Sequence, residues 1–428
     1  MEIARTAKGF LPYSLDQRLL LPPDMRAWLA DGHLALFVSD VVDALDLSAI
    51  FTTYAKDDHR GRAGYHPAMM VKLLVYGYAI GVTSSRKLEK KTSEDVPFRV
   101  LSGDQHPDHD SIASFRKRHL SALGGLFLQV LVLCRKAGLV KLGHVSLDGT
   151  KIKANASKHK AMSYERMRET EKRLRHQVRE WFRQAKSADE AEDRLHGSTR
   201  RGDEMPSWIA DKQQRITKIR EAREALEAEA RAAGQAAPEP KAQRNFTDPE
   251  SRIMRKSGKE YVQAYNAQAA VDSTAQVIVA QSLSNNATDV RQLAPTLKQI
   301  KQNTGRQAQE FSADAGYCSE GNLAVLARHH VDSYIATGRQ RHHEGSATGR
   351  RRTQGSRVAA MRTKLARAGR RSRYRLRKSV VEPVFGQIKQ ARGFRQFMLR
   401  GLEKAQGEWS LICTVHNLLK LAKAMKTP

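Results

Sequence analysis

The chain has 428 residues, with 74 Lys and Arg against 45 Asp and Glu, a formal charge of +29 and a pI near 10.2. An apolar share of 40% supports a packed core and excludes a disordered chain, and a charge this basic in a chain with no membrane segment calls for nucleic acid as partner. Cys134, Cys318 and Cys413 stand far apart with no CxxC spacing, which excludes a disulfide framework and a zinc site and fits a reducing cytoplasm.

The opening MEIARTAKGFLPY has no apolar signal core, so the chain reads as cytoplasmic, with no membrane partner. Residues 1–140 read as mostly helical. HPAMMVKLLVYGYAIG (66–81) carries apolar residues at helical spacing, a short helix is expected around VPFRVL, and DHDSIASFRKRHL starts a helix that Asp110 or Ser111 could cap. Short helices between polar turns, one bearing Arg116, Lys117, Arg118 and His119, suit a helix-turn-helix-like DNA-binding module; the same pattern fits a bundle with a solvated basic face. The most apolar run, LSALGGLFLQVLVLC (120–134), is too short to span a bilayer and reads as a buried helix.

The pattern changes at 144–148, where HVSLD alternates and ends on Asp148 and Gly149 as a strand meeting a turn. Residues 163–232 are charged and helical, with stripes at Met167, Leu174, Val178 and Trp181 and at Ile209, Ile216, Ile219 and Leu226. Around a turn near HGSTRRGDEMPS they form an antiparallel helical hairpin, and AAGQAAPEP (232–240) is a linker. YVQAYNAQAAVD and AQVIVAQSLS read as two strands of a hairpin turning near Asp272–Thr274. DVRQLAPTLKQI (289–300) is an amphipathic helix despite Pro295, AQEFSADAGY a strand running into Asp314, EGNLAVLARHH a helix and VDSYIAT a fifth strand. Residues 339–373 are Arg-rich and structureless by pattern, and EWSLICTVHNLLKLAKAM is a last amphipathic helix. With the hairpin set aside, this order implies a mixed sheet with helices on its faces.

Three acids stand out in that layout. Asp148 closes the first strand, Asp314 closes the fourth, and Glu382 is the one acid between Glu344 and Glu403. A rigid sheet can bring such acids together, and hard divalent cations such as Mg²⁺ take few, oxygen-rich protein ligands. Two ions bridged by carboxylates can activate water or a sugar hydroxyl and stabilise the oxygens at phosphorus. Taken singly, each Asp could be a turn residue and the Glu a helix-dipole partner. Pro383 disfavours helical geometry at Glu382 and is comfortable at a first helical position, so Glu382 caps the helix or marks a kink.

VSLDGTKIKANAS, FSADAGYCSEGNL and RKSVVEPVFGQIKQARGFRQFMLRG together resemble the three acidic segments of the DDE transposases of bacterial insertion sequences. YHPAMMVKLLVYGYAIGVTSSRKLEKK with DHDSIASFRKRH is similar to the helical N-terminal region of that family, so the resemblance runs from about residue 15 to 420. It implies an α/β fold with a ribonuclease H-like mixed sheet flanked by helices, an all-α N-terminal module and a helical-hairpin insertion. The 165 residues between Asp148 and Asp314 hold that insertion, as in one branch of these enzymes, and 67 separate Asp314 from Glu382. The family signature is Tyr, two residues, Arg, three residues, Glu, six residues, Lys. Lys389 stands in its place, Lys378 holds the Arg position with Arg377 beside it, and Tyr374 is displaced by one, leaving Arg375 at the Tyr position.

The resemblance thus implies a helical DNA-binding module at 1–140, a catalytic domain at 141–160 and 241–428, an insertion at 161–240 and a basic segment at 339–373. Asp148, Asp314 and Glu382 would be catalytic and would hold two Mg²⁺ ions, with Mn²⁺ able to substitute. Lys389, Arg377, Lys378, Tyr374, Arg116, Lys117 and Arg118 would contact DNA. Metal-dependent cleavage at insertion-sequence ends and strand transfer into target DNA would follow, in a homo-oligomer holding terminal inverted repeats. The competing readings are an inactive DNA-binding repressor derived from a transposase and a ribonuclease H-like nuclease that cuts without joining.

Overall fold

The computed structural model describes residues 24–54, 64–196, 207–256, 260–338, 356–368 and 372–425. Seven helices lead: α1 (Leu34–Ala44), α2 (Ser48–Tyr54), α3 (Pro67–Ala79), α4 (Ser85–Glu94), α5 (Val96–Ser102), α6 (His109–Arg118) and α7 (Leu120–Lys136). α3 starts on a proline at its first position and is buried along nearly its whole length, so it is a central helix and not an amphipathic cover. The cap of α6 is Asp108, whose carboxylate accepts from the Ser111 amide at 2.8 Å and the Ser111 hydroxyl at 2.7 Å. It lies earlier than either expected residue, because a cap stands outside the helix, two or three positions before the amide it satisfies. The apolar run 120–134 is α7, packed along α14 (Leu402–Met425). The helices approach so closely that a Cβ on Gly407 would come within 2.5 Å of Leu120 Cγ. Among the described residues no single helix is long and apolar enough to cross a membrane.

The sheet begins with β1 (His144–Lys153). Next come β2 (Ala161–Ser163), α8 (Tyr164–His196), α9 (Ser207–Ala232), β3 (Gln243–Asn245), β4 (Arg252–Arg255), β5 (Tyr261–Asp272), β6 (Ile278–Ser284) and α10 (Leu293–Thr304). The chain continues through β7 (Glu310–Ala313), α11 (Glu320–Arg328), β8 (Asp332–Ile335), α12 (Arg357–Ala368) and α13 (Arg377–Gly386) to α14. β5 lies antiparallel to β1 on one side and to β4 and β6, end to end, on the other; β7 and β8 continue beyond β1 in parallel. This is a mixed sheet with helices on its faces. β4 and the small β2–β3 ribbon have no counterpart in the sequence pattern.

Further expectations need correction. β1 does not stop at Asp148: parallel pairing with β7 ends at Leu147 opposite Ala313, but antiparallel pairing with β5 runs on to Lys153 opposite Ala264. Gly149 is therefore a strand residue rather than a turn residue. A Cβ there would fall 2.5 Å from Gln268 Nε2 and 2.8 Å from Asp289 Oδ1.

The segment 339–373 is not wholly structureless, since α12 occupies its second half. Val358 and Met361 are buried, and Glu320 accepts from the first amides, Arg357 at 3.0 Å and Val358 at 3.1 Å. Residues 339–355 and 369–371 lie outside the described residues, as do the opening 1–23 and the expected turn at 197–206.

Glu382 lies inside α13, and Pro383 neither ends that helix nor caps it. An interior proline costs about 3 kcal/mol because it removes one hydrogen bond and crowds the carbonyl four residues back. Here that carbonyl, on Ser379, accepts instead from Gln276 Nε2 at 2.9 Å.

One core runs from α1 through α7 and the sheet to α14. The α8–α9 pair has its own, formed by Met162, Met167, Leu174, Ile216, Ile219, Ala222 and Leu226, with Val178 packed against it.

Candidate active site

Asp148 and Asp314 follow the paired residues Leu147 and Ala313 on adjacent parallel strands, so the register sets them side by side. Asp148 Oδ1 accepts from the Gly149 amide at 2.8 Å, and Asp314 Oδ1 from the Gly316 amide at 2.9 Å, where it caps a single turn at Ala315–Tyr317. Burial pushes the Asp148 carboxyl up to about 7; the Arg377 guanidinium opposes that rise, while Asp314 and Asp289 add to it. Asp314 is likewise raised by burial, with Arg377 again opposing.

α13 lies across β1 with Val380, Val381, Val384 and Phe385 buried. Asp148 and Thr150 leave the same face of the strand, and the helix meets both. Arg377 Nη1 donates to Asp148 Oδ2 at 2.7 Å and its Nη2 to Glu382 Oε1 at 2.9 Å. One guanidinium thus ties the first acid to the third. Lys389, in the π-helical turn Gln387–Ala391 that extends α13, donates to Thr150 Oγ1 at 2.8 Å. Burial lowers the Lys389 ammonium below the usual lysine range, and Lys256 and Arg395 lower it further. These three cations and Lys151 line a cavity of about 360 Å³ with Phe385, Gly386 and Gln390. Tyr374 is half-buried, and burial raises its phenol while Arg377 opposes.

A fourth acid, Asp289, reads in the sequence only as the start of an amphipathic stretch. α10 in fact begins at Leu293, and Asp289 stands in the loop before it. Asn266 Nδ2 donates to Asp289 Oδ1 at 2.6 Å and Gln268 Nε2 at 2.8 Å; Lys151 Nζ lies 3.5 Å away. The Tyr317 hydroxyl in turn donates to Gln268. No local pattern marks an acid in a loop after a strand; only the closure of the sheet brings it beside the others.

The residues expected to touch DNA separate into groups. Lys378 and Lys117 are exposed. Arg377 is committed to two carboxylates. Arg116 is buried, so it offers DNA nothing: it donates to the Tyr78 hydroxyl at 3.3 Å, the Thr83 carbonyl at 2.8 Å and Ser85 Oγ at 3.3 Å. Tyr78 in turn donates to Glu408 Oε1 at 3.3 Å, and Glu408 accepts from the Met398 and Leu399 amides. Arg118 donates to the Thr53 carbonyl at 3.1 Å and lies over the Tyr54 ring.

The transposase DDE domain family matches residues 235–418, which include Asp314 and Glu382, and a transposase domain family matches residues 23–118. No curated protein and no solved structure matches the chain. The mixed sheet is the ribonuclease H-like fold that a DDE domain implies, and helices α1–α6 lie within the second match. These two matches along one polypeptide are consistent with a DDE transposase of insertion sequences.

Proposed function

We propose that this transposase cuts phosphodiester bonds at the ends of its element and joins the freed 3′-hydroxyls to target DNA, with Asp148, Asp314 and Glu382 as its acidic site. The observation that carries this reading is the register of β1 and β7, which sets two partly buried carboxylates side by side under the helix that bears Glu382. The domain match supplies the chemistry class, and the excess of basic residues the substrate class.

The donor set fits a hard divalent cation. Asp148, Asp314 and Asp289 lie together, with Arg377 and Lys151 as the cations closest among them, and burial penalises the ionised form of the first two. Excess buried negative charge of this kind is what a cation relieves. Among the described residues no group of three His, Cys, Asp or Glu side chains stands ready to ligate one ion. Asp148 and Asp314 would hold Mg²⁺ or Mn²⁺, and Glu382 would join them once Arg377 releases it. When bound, such an ion supplies Lewis-acid activation of the attacking hydroxyl and neutralises charge gathering at phosphorus.

The chain's own residues do the rest. Arg377 orients Glu382 toward Asp148. Lys389, Lys256 and Arg395 present converging cations on which DNA phosphates beside the scissile bond would sit. Lys378, Tyr374 and Lys117 add backbone contacts that fix register, and two copies of the chain would hold the two ends. The N-terminal helices would act as the DNA-binding part through Lys117 rather than Arg116.

Asp148→Ala should still bind a DNA duplex carrying an element end but cleave none of it with Mg²⁺. Cleavage by this variant would sink the site assignment. A wild-type protein that binds and never cleaves would instead favour the inactive DNA-binding reading.

A further inference from the structure

We propose that Gln276 is the positioning residue for Glu382, replacing through its side chain the helix hydrogen bond that Pro383 abolishes; the inference rests on the reading of Glu382 as part of the acidic site. Pro383 lies within α13 and has no N–H for the Ser379 carbonyl. Gln276 Nε2 donates to that carbonyl at 2.9 Å. The amide oxygen of the same side chain accepts from Gln387 Nε2 at 3.1 Å and from Lys420 Nζ at 2.8 Å. One glutamine therefore grips α13 a turn before Pro383 and a turn after it, and ties both points to α14. Glu382 sits between the two grips.

Gln276 is itself held from several sides. It lies in the loop between β5 and β6 with φ +58, a left-handed conformation that a glutamine adopts only when its surroundings dictate it. Its carbonyl accepts from His416 Nε2 at 2.9 Å, and Arg392 Nη2 lies 3.2 Å from His416 Nδ1. Burial keeps His416 neutral, with its pKa lowered to about 3, so Nε2–H is the donor and Nδ1 accepts from Arg392. Two residues on, Ile278 exchanges hydrogen bonds with the Asn417 side chain, both at 2.8 Å. The loop is thus clamped to α14, and α13 is clamped to the loop. A proline beside an essential acid leaves a weak point in the helix; this loop closes it from outside.

The test is a double-mutant cycle. Gln276→Glu keeps the length of the side chain and its acceptor for Lys420 but cannot donate to Ser379. Cleavage of end-bearing DNA with Mg²⁺ should slow roughly tenfold, with DNA affinity changed less than about twofold. Hydrogen exchange should quicken at the α13 amides after Pro383. In a Pro383→Ala background the helix again bonds Ser379 itself, so adding Gln276→Glu there should change rate and exchange by less than about threefold. Equal losses in both backgrounds, or none in either, would overturn the proposal. Should Gln276→Glu fail to fold, Gln276→Met removes the same donor at similar length. A wild type that binds without cleaving would count against the functional reading, and the exchange pattern alone would then decide whether Gln276 holds the helix.

Discussion

The N-terminal helices and the α8–α9 hairpin are both helical, both rich in charge and both attached to the same sheet, yet they are stabilised in opposite ways. The first group shares one continuous core with the sheet and α14, and a buried Arg116–Tyr78–Glu408 chain locks the two together. The second has a small core of its own and meets the rest through the β2–β3 ribbon, the contact of β3 with β4 and the Arg252–Glu229 ion pair between β4 and α9. Helical pattern alone does not tell an attached unit from an integral one. What separates them is whether the apolar face finds a partner within the unit or must find it in the sheet.

The largest effect follows from deletion. Removing residues before 140 would expose the α7 side of α14 and should leave an aggregated product. Replacing residues 164–242 by Asn-Gly, which suits a tight turn between the register partners Ser163 and Gln243, should leave a soluble protein with cooperative melting. Size-exclusion chromatography and thermal unfolding would show it. A soluble product of the first deletion, or an unfolded product of the second, would break the comparison.

Next in size is Arg116→Met. Burial already holds the Glu408 carboxyl above the usual carboxylate range, and Arg116 is among the groups that oppose this. Removing the cation leaves that buried acid with less compensation and should cost about 3 kcal/mol of global stability in urea titration. Smaller for the molecule as a whole is Ile219→Ala, in the hairpin core. The cavity should cost about 2–3 kcal/mol locally, with faster amide exchange confined to α8 and α9 and the sheet's exchange unchanged.

The last effect is one of pH, and it belongs to the sheet. In the metal-free fold Asp148 keeps its proton up to about 7, against about 3.9 in an unfolded chain. Between those values the unfolded state binds fewer protons, so stability is greatest at the acid end and falls as pH rises through the window. Asp148→Asn should remove that decline, raising the melting temperature at pH 8 and leaving it nearly unchanged at pH 4. A parallel shift at both pH values would show that the carboxyl is not the cause.

Much of this was legible in the order of residues. Period-two runs at 144–148, 261–272 and 278–284 and the apolar faces of α7, α10 and α14 show in the sequence because each side of such a strand or helix meets a different environment. The approximate places of Asp148, Asp314 and Glu382 could be read because each stands in a recognisable segment. Short elements such as β4 could not, and neither could α12, whose buried face is only two residues wide, Val358 and Met361.

What tertiary structure alone decided are relations between distant residues. The register Leu147–Ala313 makes neighbours of Asp148 and Asp314; loop closure brings Asp289 to them; Arg377 turns from a candidate DNA contact into the tie between Asp148 and Glu382. Arg116, on a stretch that reads as basic surface, is drawn inside because Tyr78, Thr83 and Ser85 satisfy its donors there. Residue types set local periods and the chemistry on offer. Which groups meet depends on how the sheet pairs and which faces bury, and neighbouring sequence does not encode that.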